Sequence, residues 1–202
     1  ARLLTQATFG PTESAIQGVV SSGSVNAWIT SQISAPAAST SHLAHVSAVL
    51  AASGNADDNE FYQTWWRQAL SGQDQLRQRV AFALSQIFVI SLNDDVIDAR
   101  GAASYYDMLT RNALGNYRDL LEEVTLHPMM GRYLTYLANQ KEDAAGTRSP
   151  DENYAREVMQ LMTIGLVELN PDGTQRLNAG QPIPTYTSAD IAGLAKVFTG
   201  IS

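Results

Sequence analysis

The stretch SPDENYAREVMQLMTIGL, Ser149 to Leu166, decides the fold class, because it reads as a helix with a specified start and two faces of different character. Ser149 stands where a helix is capped, Pro150 suits a first helical position that needs no N–H, and Glu152 is placed to complete a capping box. Tyr154, Val158, Leu161 and Met162 then recur at helical spacing along one side, and Asn153, Arg156, Glu157 and Gln160 along another. A rod with one apolar and one polar stripe belongs in a larger helical body. The polar stripe has two readings. It is a solvated face or an ion-pair network, the ordinary fate of charged side chains, or it gathers an amide, a guanidinium and a carboxylate beside apolar cover that excludes water.

Working outward, helix follows helix. Gly10-Pro11 opens a short one that Gly23 stops, and Ser24 caps a second containing Val25, Trp28 and Ile29. Ser34 to Ser41, SAPAASTS, reads as a mobile surface loop. Ser41 caps the next helix, with Leu43, Val46, Val49 and Leu50 inward and an end near Gly54. Asp58 to Leu70 offers Phe61, Trp65 and Leu70 for packing, and Gln73 to Ser91 reads as a buried central helix. Ile97 to Leu114 is a further helix that Gly115 ends. Asn116 caps Tyr117 to Leu126, and Pro128 opens Met129 to Leu137. After Gly165 the period changes, and Val167 to Asn170, the turn Pro171-Asp172-Gly173 and Arg176 to Asn178 predict one small β-hairpin near 167–178. Thr187 or Ser188 caps a last helix that Gly200 stops. The expected fold is all-α: a multi-helix orthogonal bundle of about ten helices with that hairpin, forming a single helical domain over 1–202.

Composition narrows the function. With 45% hydrophobic residues in 202, the chain can bury a sizeable core without covalent staples. Thirteen Lys and Arg against twenty Asp and Glu give a net charge of -7, which disfavours a nucleic-acid partner because no basic stripe is present to meet phosphates. The absence of cysteine excludes disulfides, thiolate nucleophiles and thiolate-bound metals. Val80 to Leu92, the most apolar run, is interrupted by Ser85 and Gln86 and falls short of the roughly twenty residues of a spanning helix. No membrane span is therefore expected in this chain, and Ala1 to Gly10 does not read as a signal peptide.

The motifs of specific chemistry are thin. Asn55, Asp57 and Asn59 imitate the opening of a calcium loop, but Glu60 stands where glycine is needed and Trp66 where a bidentate Glu is needed. Asn93, Asp94, Asp95 and Asp98 form an acidic cluster best read as helix-start electrostatics. His42 and His45 share a helix face at a spacing two metal ligands can use, yet without a HExxH pattern the plain reading is an exposed helix, and no metal is expected. There is no GxSxG elbow, no dinucleotide fingerprint and no P-loop. Trp65-Trp66 offers a stacking surface for a sugar or another flat ligand, although divergence of adjacent helical residues favours core packing for Trp65 and partial exposure for Trp66. His127, at a helix junction ahead of Pro128, reads as a cap on the preceding helix, or as a proton-transfer group near Glu157.

The pieces RLLTQATFGPT (Arg2 to Thr12), QLRQRVAFALSQIFV (Gln75 to Val89), YYDMLTRNALGNYRDLLEEVTLHPMMGRYL (Tyr105 to Leu134), NQK (Asn139 to Lys141), PDENYAREVMQLMTIGL and TYTSADIAGLAKVFTG run in order through the chain. In them it resembles the N-terminal part of the bacterial domain of unknown function 1800 (DUF 1800) family. Relatives continue the last piece with Trp after Thr-Gly, where this chain has Ile201 and then Ser202, so it looks like a fragment of a longer protein. The resemblance implies a mostly helical, exported bacterial protein, periplasmic or extracellular, with no established reaction.

Two functions from different classes are compatible with these residues. The first is a binding or structural/assembly module, with a protein or small-molecule partner. The second is a hydrolase-like or metal-assisted enzyme, with Glu157, Glu123 and His127 as its catalytic carboxylate/His cleft and Asn153, Arg156 and Arg132 binding the ligand. In the first reading Arg79 and Arg132 neutralise the carboxylates, and Ser149, Glu152 and Arg79 are structural. The residues name no cofactor.

Overall fold

Local capping specifies most helix starts. The computed structural model describes residues 1–37 and 41–201. Among them are eleven α-helices, one π-helical turn and a small two-stranded sheet. The chain divides into two compact units, Ala1–Met129 and Met130–Ser202.

The first unit contains α1 (Arg2–Ala7), α2 (Glu13–Ser21), α3 (Val25–Ser34), α4 (His42–Ser53), α5 (Asp58–Ser71), α6 (Gln75–Ser85), α7 (Ala99–Asn112) and α8 (Tyr117–Leu126). Thr12, Ser24, Ser41 and Asn116 each accept a backbone N–H in the first turn of the helix they precede, and Gly54 ends α4 in the left-handed conformation. Asp57 caps α5 by accepting the Asn59 N–H at 2.9 Å, and Asp98 caps α7 by accepting that of Gly101 at 2.7 Å. These bonds give the two acidic stretches work as helix starts. Of the expected loop over 34–41, Ser34 ends α3, and residues 38–40 lie outside the described residues.

Helix α7 is the hub, in contact with α4, α5, α6 and α8. Ala99, Ala102 and Ala103 let its neighbours approach, while Tyr105, Tyr106, Met108 and Leu109 fill the space between them. Gly101 serves the same end, since a Cβ there would collide with the Met129 side chain.

The central helix is shorter than its sequence suggests. Helix α6 stops at Ser85, whose hydroxyl turns back to the Phe82 carbonyl at 2.7 Å, and the next residues close in tight turns. Buried Tyr105 then donates its hydroxyl to the Phe88 carbonyl at 3.0 Å. A tertiary bond thus takes an acceptor that a continuing helix would have used internally.

Helix α9 (Pro128–Tyr133) crosses the boundary between the units. The second unit holds α10 (Asn153–Glu157), the π-helical turn Val158–Met162, β1 (Leu177–Asn178), β2 (Gln181–Pro182) and α11 (Ser188–Val197). Thr187 and Asp190 form a reciprocal capping box on α11. Bridging of Leu169 to Gln175 closes the expected Pro171-Asp172-Gly173 turn, but the paired strands β1 and β2 lie further on, around left-handed Ala179 and Gly180. No helix among the described residues is long and apolar enough to cross a membrane.

The start of the decisive segment differs from its sequence reading. Ser149 does not cap it and Glu152 completes no capping box, because α10 begins at Asn153, whose N–H goes to the Asp151 carboxylate at 2.8 Å. Asn139, twelve residues back, holds Asp151 outside the helix: its side-chain oxygen accepts the Asp151 N–H at 2.9 Å and its NH2 donates to the Asp151 carbonyl at 3.3 Å. Beyond Glu157 the helix widens, so that the N–H groups of Ile164 and Gly165 both reach the Met159 carbonyl. A π-turn inserts a residue and shifts the phase of the side chains after it. Leu161, expected in the apolar stripe, is consequently 63% exposed, while Tyr154 and Met162 remain buried.

Candidate functional site

The carboxylates and the histidine singled out by sequence are spread over both units. In the first unit, exposed Glu123 pairs with Arg111 at 2.8 Å. Arg79 lies with its guanidinium 5.4 Å from the Phe9 ring centre and 5.5 Å from that of Phe82, so its positive charge is set against aromatic faces. His127 Nδ1 accepts the Met129 N–H at 3.2 Å, and its Nε2 lies 3.3 Å from the Ser104 hydroxyl. The first bond leaves the proton on Nε2. His127 therefore serves both helices: its ring caps the start of α9, while its backbone N–H, donated to the Val124 carbonyl at 3.2 Å, caps the end of α8 as its sequence reading expects. Burial pushes its pKa down, the Arg111 charge adds to that, and Glu123 opposes. Both ring nitrogens have protein partners, which suits a fixed structural imidazole better than a proton carrier.

In the second unit, Arg156 pairs with Glu152 one turn earlier at 3.1 Å, both about half exposed. Asn153 and Arg132 are exposed. Thr135 donates to the Asp151 carboxylate at 2.9 Å and lies 3.5 Å from the Asn153 amide nitrogen, so Asn153 belongs to the start of α10. Glu157 is half-buried, and its Oε2 is sheltered from solvent without a hydrogen-bond partner.

Histidine chemistry is more unusual at α4. His42, expected on an exposed helix, is 1% exposed, with its ring 5.6 Å from that of Phe61 and 5.4 Å from that of Tyr106. Neither ring nitrogen has a hydrogen-bond partner. Asp107, on α7, holds the first turn of α4 by accepting the His42 and Leu43 backbone N–H groups, and Val46 on the same helix packs in the core cluster of Phe61 and Tyr106. His45 Nε2 is 3.4 Å from a Glu60 carboxylate oxygen, outside hydrogen-bonding geometry. Burial pushes the His42 pKa below the ordinary 6.5, Asp107 opposes, and His45 adds to the fall. Because the folded imidazole takes up its proton at lower pH than the unfolded one, its contribution is intact above 6.5. That contribution is lost as pH falls from there toward the depressed folded value, and His127 acts in the same sense. Urea unfolding at pH 7.5 and 5 is expected to show lower stability at the acidic value and a smaller difference in a His42→Phe variant; an unchanged difference would rule His42 out as a contributor.

The arrangement with most chemical definition is a cavity of about 490 Å³ in the first unit, between α5, α6, α7 and the segment after α6. Its inner wall includes Phe61, Phe88, Tyr105 and Tyr106, all buried. Trp65 is held edge-on by Phe9 at 5.4 Å and stands perpendicular to Trp66 at 5.0 Å, while Trp66 itself is 56% exposed. Burial pushes the Tyr106 hydroxyl up to about 12, with the Trp65 indole opposing, so it stays protonated. Exposed Gln86 and Asn93 bring amides to the mouth.

The division of labour between Trp65 and Trp66 matches their sequence reading. The contributions of Phe82, Phe88, Tyr106, Gln86 and Asn93 had no local signal. Two further cavities carry less chemistry. One of about 710 Å³ between the α1–α2 connection and the end of α5 is walled largely by small residues and backbone, and one of about 460 Å³ beside Lys141 and Arg148 is a shallow surface hollow. No group of three or more His, Cys, Asp or Glu placed to hold a metal occurs among the described residues.

No curated protein and no solved structure matches the chain. A family model described as "Protein of unknown function (DUF1800)" matches residues 2–202. With all but its first residue matched, this chain belongs to the DUF1800 family of proteins of unknown function.

Proposed function

We propose that this chain is a binding module that holds a small organic ligand in the aromatic cavity of its first unit. The observation that carries the reading is the cavity itself: about 490 Å³, with aromatic walls on helices packed around α7. That volume falls in the range of about 300–1,000 Å³ typical of small-molecule sites. Rigid rings on packed helices lose little entropy when a ligand arrives, which favours binding. The setting we propose, bacterial and outside the cytoplasm, follows the family resemblance. A second reading, a hydrolase-like centre at Glu157, is favoured by its sheltered and unbonded oxygen. Against it, Glu123 is committed to Arg111 and His127 to Met129 and Ser104.

The test is a titration with the hydrophobic fluorophore N-phenyl-1-naphthylamine. Saturable emission is expected, with affinity about tenfold weaker in Trp66→Ala, on the scale of one lost aromatic contact. Wild-type behaviour in both Trp66→Ala and Phe82→Ala, or no saturable signal, would overturn the assignment.

A further inference from the structure

We infer that the natural occupant of the aromatic cavity is a neutral saccharide, an uncharged ring whose C–H face lies on Trp66 and whose hydroxyls meet Gln86 and Asn93. This rests on the binding-module reading and adds the ligand class.

Charge is the first argument. Among the described residues, no Asp, Glu, Lys, Arg or His lines the cavity, although 16% of the chain is Asp, Glu, Lys or Arg. An ionic ligand would be stripped of water there with no counter-charge, which is strongly unfavourable. A uronic acid, a phosphate ester or an amine is thereby disfavoured against a neutral ligand.

Distribution of polarity is the second. The inner wall is mainly aromatic, with the buried Tyr106 hydroxyl unbonded on it, and the mouth combines the exposed rings of Tyr62 and Trp66 with the side chains of Gln86 and Asn93. Each amide carries both donors and an acceptor, the complement of a hydroxyl, which also does both. Gln86 spends part of its NH2 on the Ser85 hydroxyl at 3.1 Å, which leaves its carbonyl oxygen to accept. Asn93 donates its backbone N–H to the Ser91 hydroxyl at 3.2 Å, and its side-chain amide stays at the mouth. A purely hydrocarbon ligand would bury these amides without satisfying them, a penalty that sites built for hydroxyls use for discrimination.

Ring geometry is the third. Trp65 and Trp66 are 88° apart, and Trp65 is locked among Phe9 and Phe82. Trp66, packed perpendicular to that anchored ring and 56% exposed, presents an aromatic surface whose electron-rich face attracts the slightly positive C–H groups of a sugar ring.

The experiment is saturation-transfer NMR and calorimetry on the full chain. The probes are a panel of neutral disaccharides of glucose, galactose, mannose and xylose, glucuronic acid, and N-phenyl-1-naphthylamine. Saturable binding of at least one neutral disaccharide is expected, at least tenfold tighter than glucuronic acid and at least tenfold weaker in Trp66→Ala and Asn93→Ala. Both substituted residues are exposed, so the variants' melting temperatures confirm folding. Binding of the fluorophore without any disaccharide would overturn the saccharide assignment and leave the binding module standing. Binding of neither would overturn both, and saccharide binding unaffected by the two variants would overturn the placement.

Discussion

Tyr154→Ala is expected to lower the stability of this protein by about 3–5 kcal/mol, the range for truncating a fully buried large side chain. Tyr154 has no exposed surface, stacks on Tyr136 with ring centres 4.2 Å apart, and meets Phe198 edge-on at 4.9 Å. These rings tie α9's continuation, α10 and the end of α11 together within the second unit. Removal takes away the buried area and the ring–ring contacts, and leaves a cavity that flanking helices can only partly close. Tyr154→Phe keeps the stack and is expected to retain most of the stability. Urea unfolding of both variants checks this. A loss below about 1 kcal/mol in Tyr154→Ala would mean that the rings do not organise this unit, since it falls well under the range for truncating a buried large side chain.

Asp107→Ala is expected to rank next, with a loss of about 2–4 kcal/mol from several charge-assisted bonds and a favourable helix-dipole contact. The carboxylate accepts the His42 N–H at 2.9 Å and the Leu43 N–H at 3.0 Å, and the Ser41 hydroxyl also donates to it. One residue of α7 therefore satisfies orphan donors at the start of α4, sixty-five positions away in the His42 bond. Asp107→Asn retains an acceptor oxygen and is expected to fall between wild type and Asp107→Ala. Amide exchange should rise in the first turn of α4 before any global change. If exchange there is unaltered and the stability loss is below about 0.5 kcal/mol, the Ser41 cap alone holds the helix start.

The consequence for function is specific. Asp107 and Tyr106 are neighbours on α7, so the same helix anchors α4 on one side and walls the cavity on another. Loss of Asp107 should weaken ligand binding indirectly, through the packing of His42 on Tyr106. Trp66→Ala should weaken it directly, with little change in stability, because Trp66 is largely exposed. The contrast separates residues that build the site from those that touch its contents.

Much of the helical order was legible because helix ends are written locally. Ser24, Ser41, Asn116 and Thr187 cap where their sequence places them, and Gly54 stops α4, each through groups within a few residues. Ser149 failed by the same logic. Its local pattern is sound, but Asn139 outcompetes it by fixing Asp151 from twelve residues away. Likewise Tyr105 takes the Phe88 carbonyl that would have prolonged α6.

The candidate site was less legible. His42 looks like a surface histidine in its own neighbourhood, and only the arrival of Phe61 and Tyr106 from other helices buries it. The polar stripe of Asn153 and Arg156 remains near water, its charges used in short pairs such as Arg156 with Glu152. By itself, then, the sequence determined the all-α class, most helix starts, the family and the distinct characters of Trp65 and Trp66, because short-range backbone and periodicity rules govern these. Only the tertiary structure decided which rings enclose a cavity and which polar groups are buried beside it, because such surroundings are assembled from residues far apart in the chain and no local pattern encodes their convergence.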